Sequence, residues 1–368
     1  MADLSLPKTI APPAWLGALA GATAEQISST LAHALNSAAH RERWKYTKPE
    51  PILAAVADPA IAPVIHGAEQ PGLMVTQEPL DQVLPGTDVA QGPEALARLC
   101  YAEQVWVIKV TEHLALPLHV QHDGNTMPVL IQLAANTSLT LLEVAANSNP
   151  MQQSVWIDVG ENAELKHSRN ALDDCERHWQ YLNVRLQPSA RYCLNNHVSG
   201  SKLRRQDIHL ILDGEGCEAT MVSAGRVGRQ GALDQQVTVE HRRPRGSSRQ
   251  TVHNIVADGG KCTFNGRIHI HEGAAGTDAR LSNKNLGMGE HATINTKPEL
   301  EIYTDDVSCS HGATVGTISQ EALFYLMSRG VAPDTAEALL SQGFLRQCID
   351  GPLAETALES LIGGAMSA

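Results

Sequence analysis

Asn295 to Val331 reads NTKPELEIYTDDVSCSHGATVGTISQEALFYLMSRGV, and in one run it ends a strand-built body and starts a helical one. Leu300 and Ile302 alternate with polar neighbours as strand residues do, and Asp305-Asp306 supplies a polar turn. Cys309 and His311 follow, two residues apart. On an extended chain that spacing puts a thiol and an imidazole on one face. Gly312 and Gly316 then loosen the backbone. Ser319 is placed to cap a helix that opens with Glu321 and carries Leu323, Phe324, Leu326 and Met327.

Upstream, short alternating strands recur: VWIDVG from Val155, YLNVRLQP from Tyr181, DIHLILDG from Asp207, QVTVEH from Gln236, GRIHIHEG from Gly266 and ELEIYTDD from Glu299. Each closes at a Gly, Pro or Asp turn, and the turns lie roughly 26 to 32 residues apart, which is the signature of a quasi-repeat. Weaker strands (ARYCLNN, EATMVSA, KCTFNG) sit between them. A stack of β coils fits, each burying its inward residues against the next. Periodicity alone leaves a β-helix, a barrel and a jelly roll open. A coil stack has open ends, and the flanking helical regions are expected to cover them.

Three units follow. Residues 1–112 read as mixed and mostly helical, with Ile27, Leu31, Ala34 and Leu35 at helical spacing, a helix from Pro93 to Tyr101, and a strand from Gln104 to Thr111. Residues 113–316 are the β-coil body. Residues 317–368 read as three helices. The first stops at Gly330, the second starts at Pro333, and the third runs from Ala354 to Ile362 before Gly363-Gly364.

Composition narrows the function. A formal charge of −12 over 368 residues argues against general nucleic-acid binding. No apolar run reaches membrane-spanning length, and the first residues lack the build of a secretory signal. Seven scattered cysteines form no CxxC pair, so reduced thiols and a cytoplasmic setting are the simplest reading. There is no GxxxxGK[ST], no GxSxG and no HExxH, so nothing here marks a nucleotide motor or a hydrolase.

Thiolate and imidazole suit iron and zinc, but two ligands do not complete a site of four. On the residues alone, the commoner reading makes Cys309 a small inward hydrophobe and His311 a ring bonded to backbone. His269 and His271 share one strand face, opposite Ile268 and Ile270, and exposed strand histidines are commoner than metal ligands. Cys175, Cys193, Cys217 and Cys262 lie in or near β segments and read as small buried hydrophobes.

The blocks NTKP, LEIY, DDV, CSHGATVG and ALFYL-SRG, with TFNGRIHIHEGAAGTDARLSNKNL upstream and RERWKYTKPE near the start, closely resemble the SufB/SufD family of iron–sulfur cluster assembly scaffolds. The resemblance implies a right-handed parallel β-helix flanked by helical N- and C-terminal regions. It implies a non-catalytic scaffold that pairs with SufB through the β-helix and docks the SufC ATPase through its C-terminal helices. Leu323, Phe324, Leu326 and Arg329 are the candidates for that docking. It implies that His311, with Cys309, faces a transient iron or iron–sulfur cluster shared with SufB. Asn283 stands where SufB-type relatives carry a sulfur-accepting cysteine, and Gly312 where they carry a glutamate. These departures point to the SufD branch, which needs SufB to supply the missing ligands. A SufD homodimer carrying iron or a cluster is the alternative. A carbohydrate-active β-helix enzyme is a more distant one, since no line of carboxylates and aromatic platforms appears.

Overall fold

The computed structural model describes residue 45 and residues 61–83, 103–124, 126–145, 151–172, 175–200 and 202–363. Its strands form two nine-stranded sheets. One runs β1 (Val64–His66), β4 (Leu118–His122), β6 (Ser138–Ala145), β8 (Glu164–Ala171), β10 (Arg191–Gly200), β12 (Glu218–Val227), β14 (Ser247–Ala257), β16 (Thr277–Met288) and β18 (Val307–Gly316). The other runs β2 (Leu73–Pro79), β3 (Gln104–Val110), β5 (Val129–Leu133), β7 (Met151–Val159), β9 (Arg177–Leu186), β11 (Leu203–Leu212), β13 (Ala232–His241), β15 (Lys261–Ile270) and β17 (Thr293–Ile302). From β3 onward the chain alternates between the sheets and every lateral pair is parallel. The result is the expected parallel β-helix.

Strand alternation becomes a core through lateral register. Ile108, Ile131, Ile157, Val184, Leu210, Val239, Ile268 and Leu300 are successive register partners, one per coil. All but Leu300 are buried. Aliphatic side chains, most of them β-branched, stack well on pleated surfaces, and identical positions in each coil meet like neighbours. The six strands legible in sequence all belong to this β17 sheet. KCTFNG and GRIHIH are not two strands but one, β15.

The coils turn on a ladder of left-handed residues. Asn136, Asn162, Ser189, Gly216, Arg245 and Gly276 all have φ between 54° and 74°. Each donates its N–H to a carbonyl of the following coil: Glu161, Pro188, Glu215, Pro244, Ala275 and Asp306, at 2.7–3.1 Å. Left-handed Ser and Arg are costly alone, and this repeated bond holds them there. Gly214 tolerates no side chain, because a Cβ would lie 2.0 Å from the Pro188 nitrogen of the coil before.

Two expectations need correction. β1, β2 and β3 precede residue 113 yet pair into the sheets, so the coil stack begins upstream of that boundary. β1 and β2 run antiparallel to their neighbours and finish the N-terminal edge of each sheet. The C-terminal helices, in turn, do not cap the end of the stack. Beside α1 (Leu80–Val83), the described helices are α2 (Gln320–Ser328), α3 (Pro333–Arg346) and α4 (Ala354–Gly363). α3 and α4 lie on the outer face of β10, β12 and β14. That face carries Val222, Ala224 and Ile255, which bury against Leu345, Cys348 and Leu361. An apolar sheet face draws the helices more strongly than a coil end whose exposed groups are mostly backbone. The expected helices at Ile27–Leu35 and Pro93–Tyr101, the RERWKYTKPE segment apart from Lys45, and Gly364 lie outside the described residues.

Candidate functional site

β18 repeats the register of β16 one coil later. Val307, Cys309, His311 and Ala313 stand over Thr277, Ala279, Leu281 and Asn283, all buried inward positions. Among the described residues no coil follows β18, so the same positions are unroofed there. Cys309 is half-buried against the core, and His311 is exposed. The shared face expected of the pair is therefore the interior face of the last coil. Partial burial pushes the Cys309 thiol up from its ordinary range. Among the described residues no three His, Cys, Asp or Glu side chains converge to hold a metal ion. Cys309 and His311 thus offer two ligands at most, and a complete site needs others. A side chain at Gly312 would meet nothing within 4 Å, so the missing carboxylate is not a matter of room.

Asn283 lies one coil below Ala313 and is sealed. Its amide donates to the Val252 carbonyl at 3.3 Å, and its oxygen accepts from Asn285 (2.6 Å) and Thr296 (2.9 Å). It closes a polar seam inside the solenoid that the sequence reading missed. Gln153, Gln180, Gln206 and Gln235 form an amide ladder, each donating to the one before at 2.7–3.2 Å. Asn196 and Ser223 join it from the facing sheet. Further toward the start, Glu143 receives Arg169 Nε at 2.7 Å and lies 3.2 Å from His167 Nε2. Burial pushes the Glu143 carboxyl up, but Arg169 and the histidines outweigh it and hold it well below the carboxylate range. Burial brings His122 down to about 4. The recurrence of Gln at 26- to 29-residue steps was the available signal.

His269 and His271 do point outward, over Ile268 and Ile270 in the core. Their rings lie 4.2 Å apart, His269 bonds Glu301 at 2.5 Å, and His271 lies 3.4 Å from Glu240. Cys175, Cys217 and Cys262 are buried and Cys193 is half-buried.

The helical unit presents a different surface. Ser319 caps α2 through the Ala322 N–H, and Gly330 ends it at φ 85°. α2 buries no residue. Leu323 and Leu326 are half-covered beside α3, while Phe324 is 72% exposed and Tyr325 and Met327 are also exposed. The Arg329 guanidinium lies 5.1 Å from the Tyr325 ring. α3 and α4 are pinned at carbonyls near their C-terminal ends. His253 donates to Phe344 O (2.9 Å) and stacks on its ring, and Arg226 donates to Leu361 O (2.9 Å). The four docking candidates therefore lie together on α2 and its cap, beside the exposed Phe324, Tyr325 and Met327.

Comparison with known proteins bears on the family. A model of the SufBD core domain of the SUF system for iron–sulfur cluster assembly matches residues 119–344. The iron–sulfur cluster assembly protein SufD of Escherichia coli (strain K12) is 35% identical over 189 residues, 51% of this chain and 45% of that protein. A SufBD family protein of Synechocystis is 31% identical over 195 residues, 53% of this chain and 43% of its own. The chloroplastic protein ABCI7 of Arabidopsis thaliana is 31% identical over 207 residues, 55% and 42% respectively. Each match spans less than half of the relative's length. No described helix is long and apolar enough to cross a membrane. The core-domain match takes in the coils from β4 to the seat of α3, and on that ground the chain belongs to the SufBD family of the SUF system.

Proposed function

We propose that this chain is a non-catalytic scaffold subunit of iron–sulfur cluster assembly in the cytoplasm. Its open coil end pairs with a SufB-type chain, and Cys309 and His311 face the nascent cluster across that seam. One observation carries the reading: the only inward positions of β18 that bear metal-binding side chains are also those that lack a roof. A second coil stack placed end to end supplies both the roof and the missing ligands. The iron or cluster is cargo, held between chains. α2 docks a SufC-type ATPase through Leu323, Phe324, Leu326 and Arg329, supported by the exposed apolar surface there. The same end would accept a second copy of this chain, which keeps a homodimeric carrier as the alternative.

The test is His311→Ala in the assembled complex, reconstituted anaerobically. Iron content and visible absorbance are expected to fall while stoichiometry holds. Unchanged cluster formation in an intact complex refutes the role of His311. Absence of any complex with SufB- or SufC-type chains refutes the scaffold reading.

A further inference from the structure

We propose that the partner strand adds along β18 and not along β17, because Pro298 interrupts the edge of β17. The inference rests on the reading that the open coil end is the pairing surface, and it says which of the two edges there carries the backbone ladder.

Within a strand, the N–H and C=O groups of successive residues point alternately to the two sides. On β17, Thr293 N–H donates to Gly260 O (2.9 Å) and Tyr303 N–H to Ile270 O (3.0 Å), both toward β15. The register between Lys261–Ile270 and Thr293–Ile302 runs without a bulge. Odd-numbered residues therefore face β15, and Ile294, Thr296, Pro298, Leu300 and Ile302 face the open edge. Pro298 is the central member and has no N–H. A strand laid there loses its middle donor and meets the pyrrolidine ring, which is how edge strands resist pairing.

β18 differs. Asp278 N–H donates to Gly246 O (3.0 Å), toward β14, so the odd-numbered residues of β16 face β18. The unbroken register of Thr277–Leu286 with Val307–Gly316 turns the even residues of β18 toward β16. Val307, Cys309, His311, Ala313 and Val315 are left at the open edge. Val307 N–H is already bonded to Asp305 O at 3.1 Å. The other four give a continuous run of donors and acceptors with neither Pro nor Gly among them. The occupant this edge fits is the terminal strand of a like coil stack, which continues the sheet at its own lateral spacing. The seam then runs along the backbone of Cys309 and His311, and their inward side chains come under the partner's first coil.

The experiment compares the full-length chain with Ala313→Pro, which removes one of the two middle β18 donors, and Pro298→Ala, which restores the β17 donor. Neither position carries a candidate ligand. Each chain is titrated with the SufB-type paralogue, and amide exchange is followed with and without it. Ala313→Pro is expected to weaken the complex about tenfold or more, as a lost hydrogen bond plus a clashing ring should. Pro298→Ala is expected to bind at least as well as the parent. In the parent complex the amides of residues 309, 311, 313 and 315 gain protection, and those of 294, 296, 300 and 302 do not. Protection on β17 without β18, or parental affinity in a folded Ala313→Pro chain, overturns the inference while leaving end-to-end pairing standing. If Ala313→Pro does not fold, the exchange pattern of the parent decides alone. A parent chain that binds neither the paralogue nor itself refutes both.

Discussion

Leu281 and His311 occupy the same inward position on successive coils, yet one is 3% exposed and the other open to solvent. The backbone is the same at both. What differs is the presence of a next coil. In a solenoid each coil is roofed only by its neighbour, so the last one presents its interior face without any special loop or cleft. A reactive pair there is buried only when a second body arrives. That suits a site whose remaining ligands come from elsewhere, and it explains how Cys309 and His311 are part of the core pattern and of the surface at once.

The comparison can be pressed from both sides. The largest expected effect concerns the buried histidines in acid, His122 and His241 inside the closed coils and His197 on the outer face of β10 under the C-terminal helices. Burial brings His122, His197 and His241 down to about 4, from an ordinary 6.5. A histidine that binds its proton less well folded than unfolded contributes fully above pH 6.5 and loses that contribution as pH falls toward 4. At about 1.4 kcal/mol per pKa unit, each of the three stands to lose on the order of 3 kcal/mol by pH 4. Urea midpoints measured from pH 7.5 to 4 should fall steeply below 6.5, and a flat profile would contradict this burial of neutral rings.

Next in size is Glu143→Ala, which strands Arg169 inside the solenoid and should cost about 3–5 kcal/mol in urea unfolding. Adding Arg169→Met should recover part of the loss. Below that, Ile268→Ala opens a cavity in the aliphatic column and should cost about 2–5 kcal/mol. The paired control is Cys309→Ala, where a half-exposed site should cost less than about 1 kcal/mol in the same assay. Equal costs at the two positions would mean that the last coil is as closed as the others. The smallest effect on folding is that of His311→Ala, within about 0.5 kcal/mol of the parent. Its cluster content in the assembled complex should nevertheless fall, which separates a surface role from a structural one.

Residues 155–160 and 236–241 show what the sequence determined by itself. Inward Val155, Ile157 and Val159 alternate with Trp156 and Asp158, and inward Val237 and Val239 with Gln236, Thr238 and Glu240, so most of the β17 sheet was legible, β2 and β5 excepted. The three C-terminal helices were equally plain from Ser319, Gly330, Pro333 and Gly363, because caps and breakers act locally. The β18 sheet was much less so. Its inward positions carry His167, Arg169, Asn196, Ser223, Asn254 and Asn283, and a polar residue facing inward erases the alternation that marks a strand. Only the stacked coils make those groups each other's partners. The pairing of Cys309 with His311 on one face followed from spacing two. That this face is the unroofed interior of the last coil did not follow, nor did the placement of the helices on the sheet rather than over its end. Both depend on which surfaces remain uncovered after the long-range pairing is complete, and local sequence does not record that.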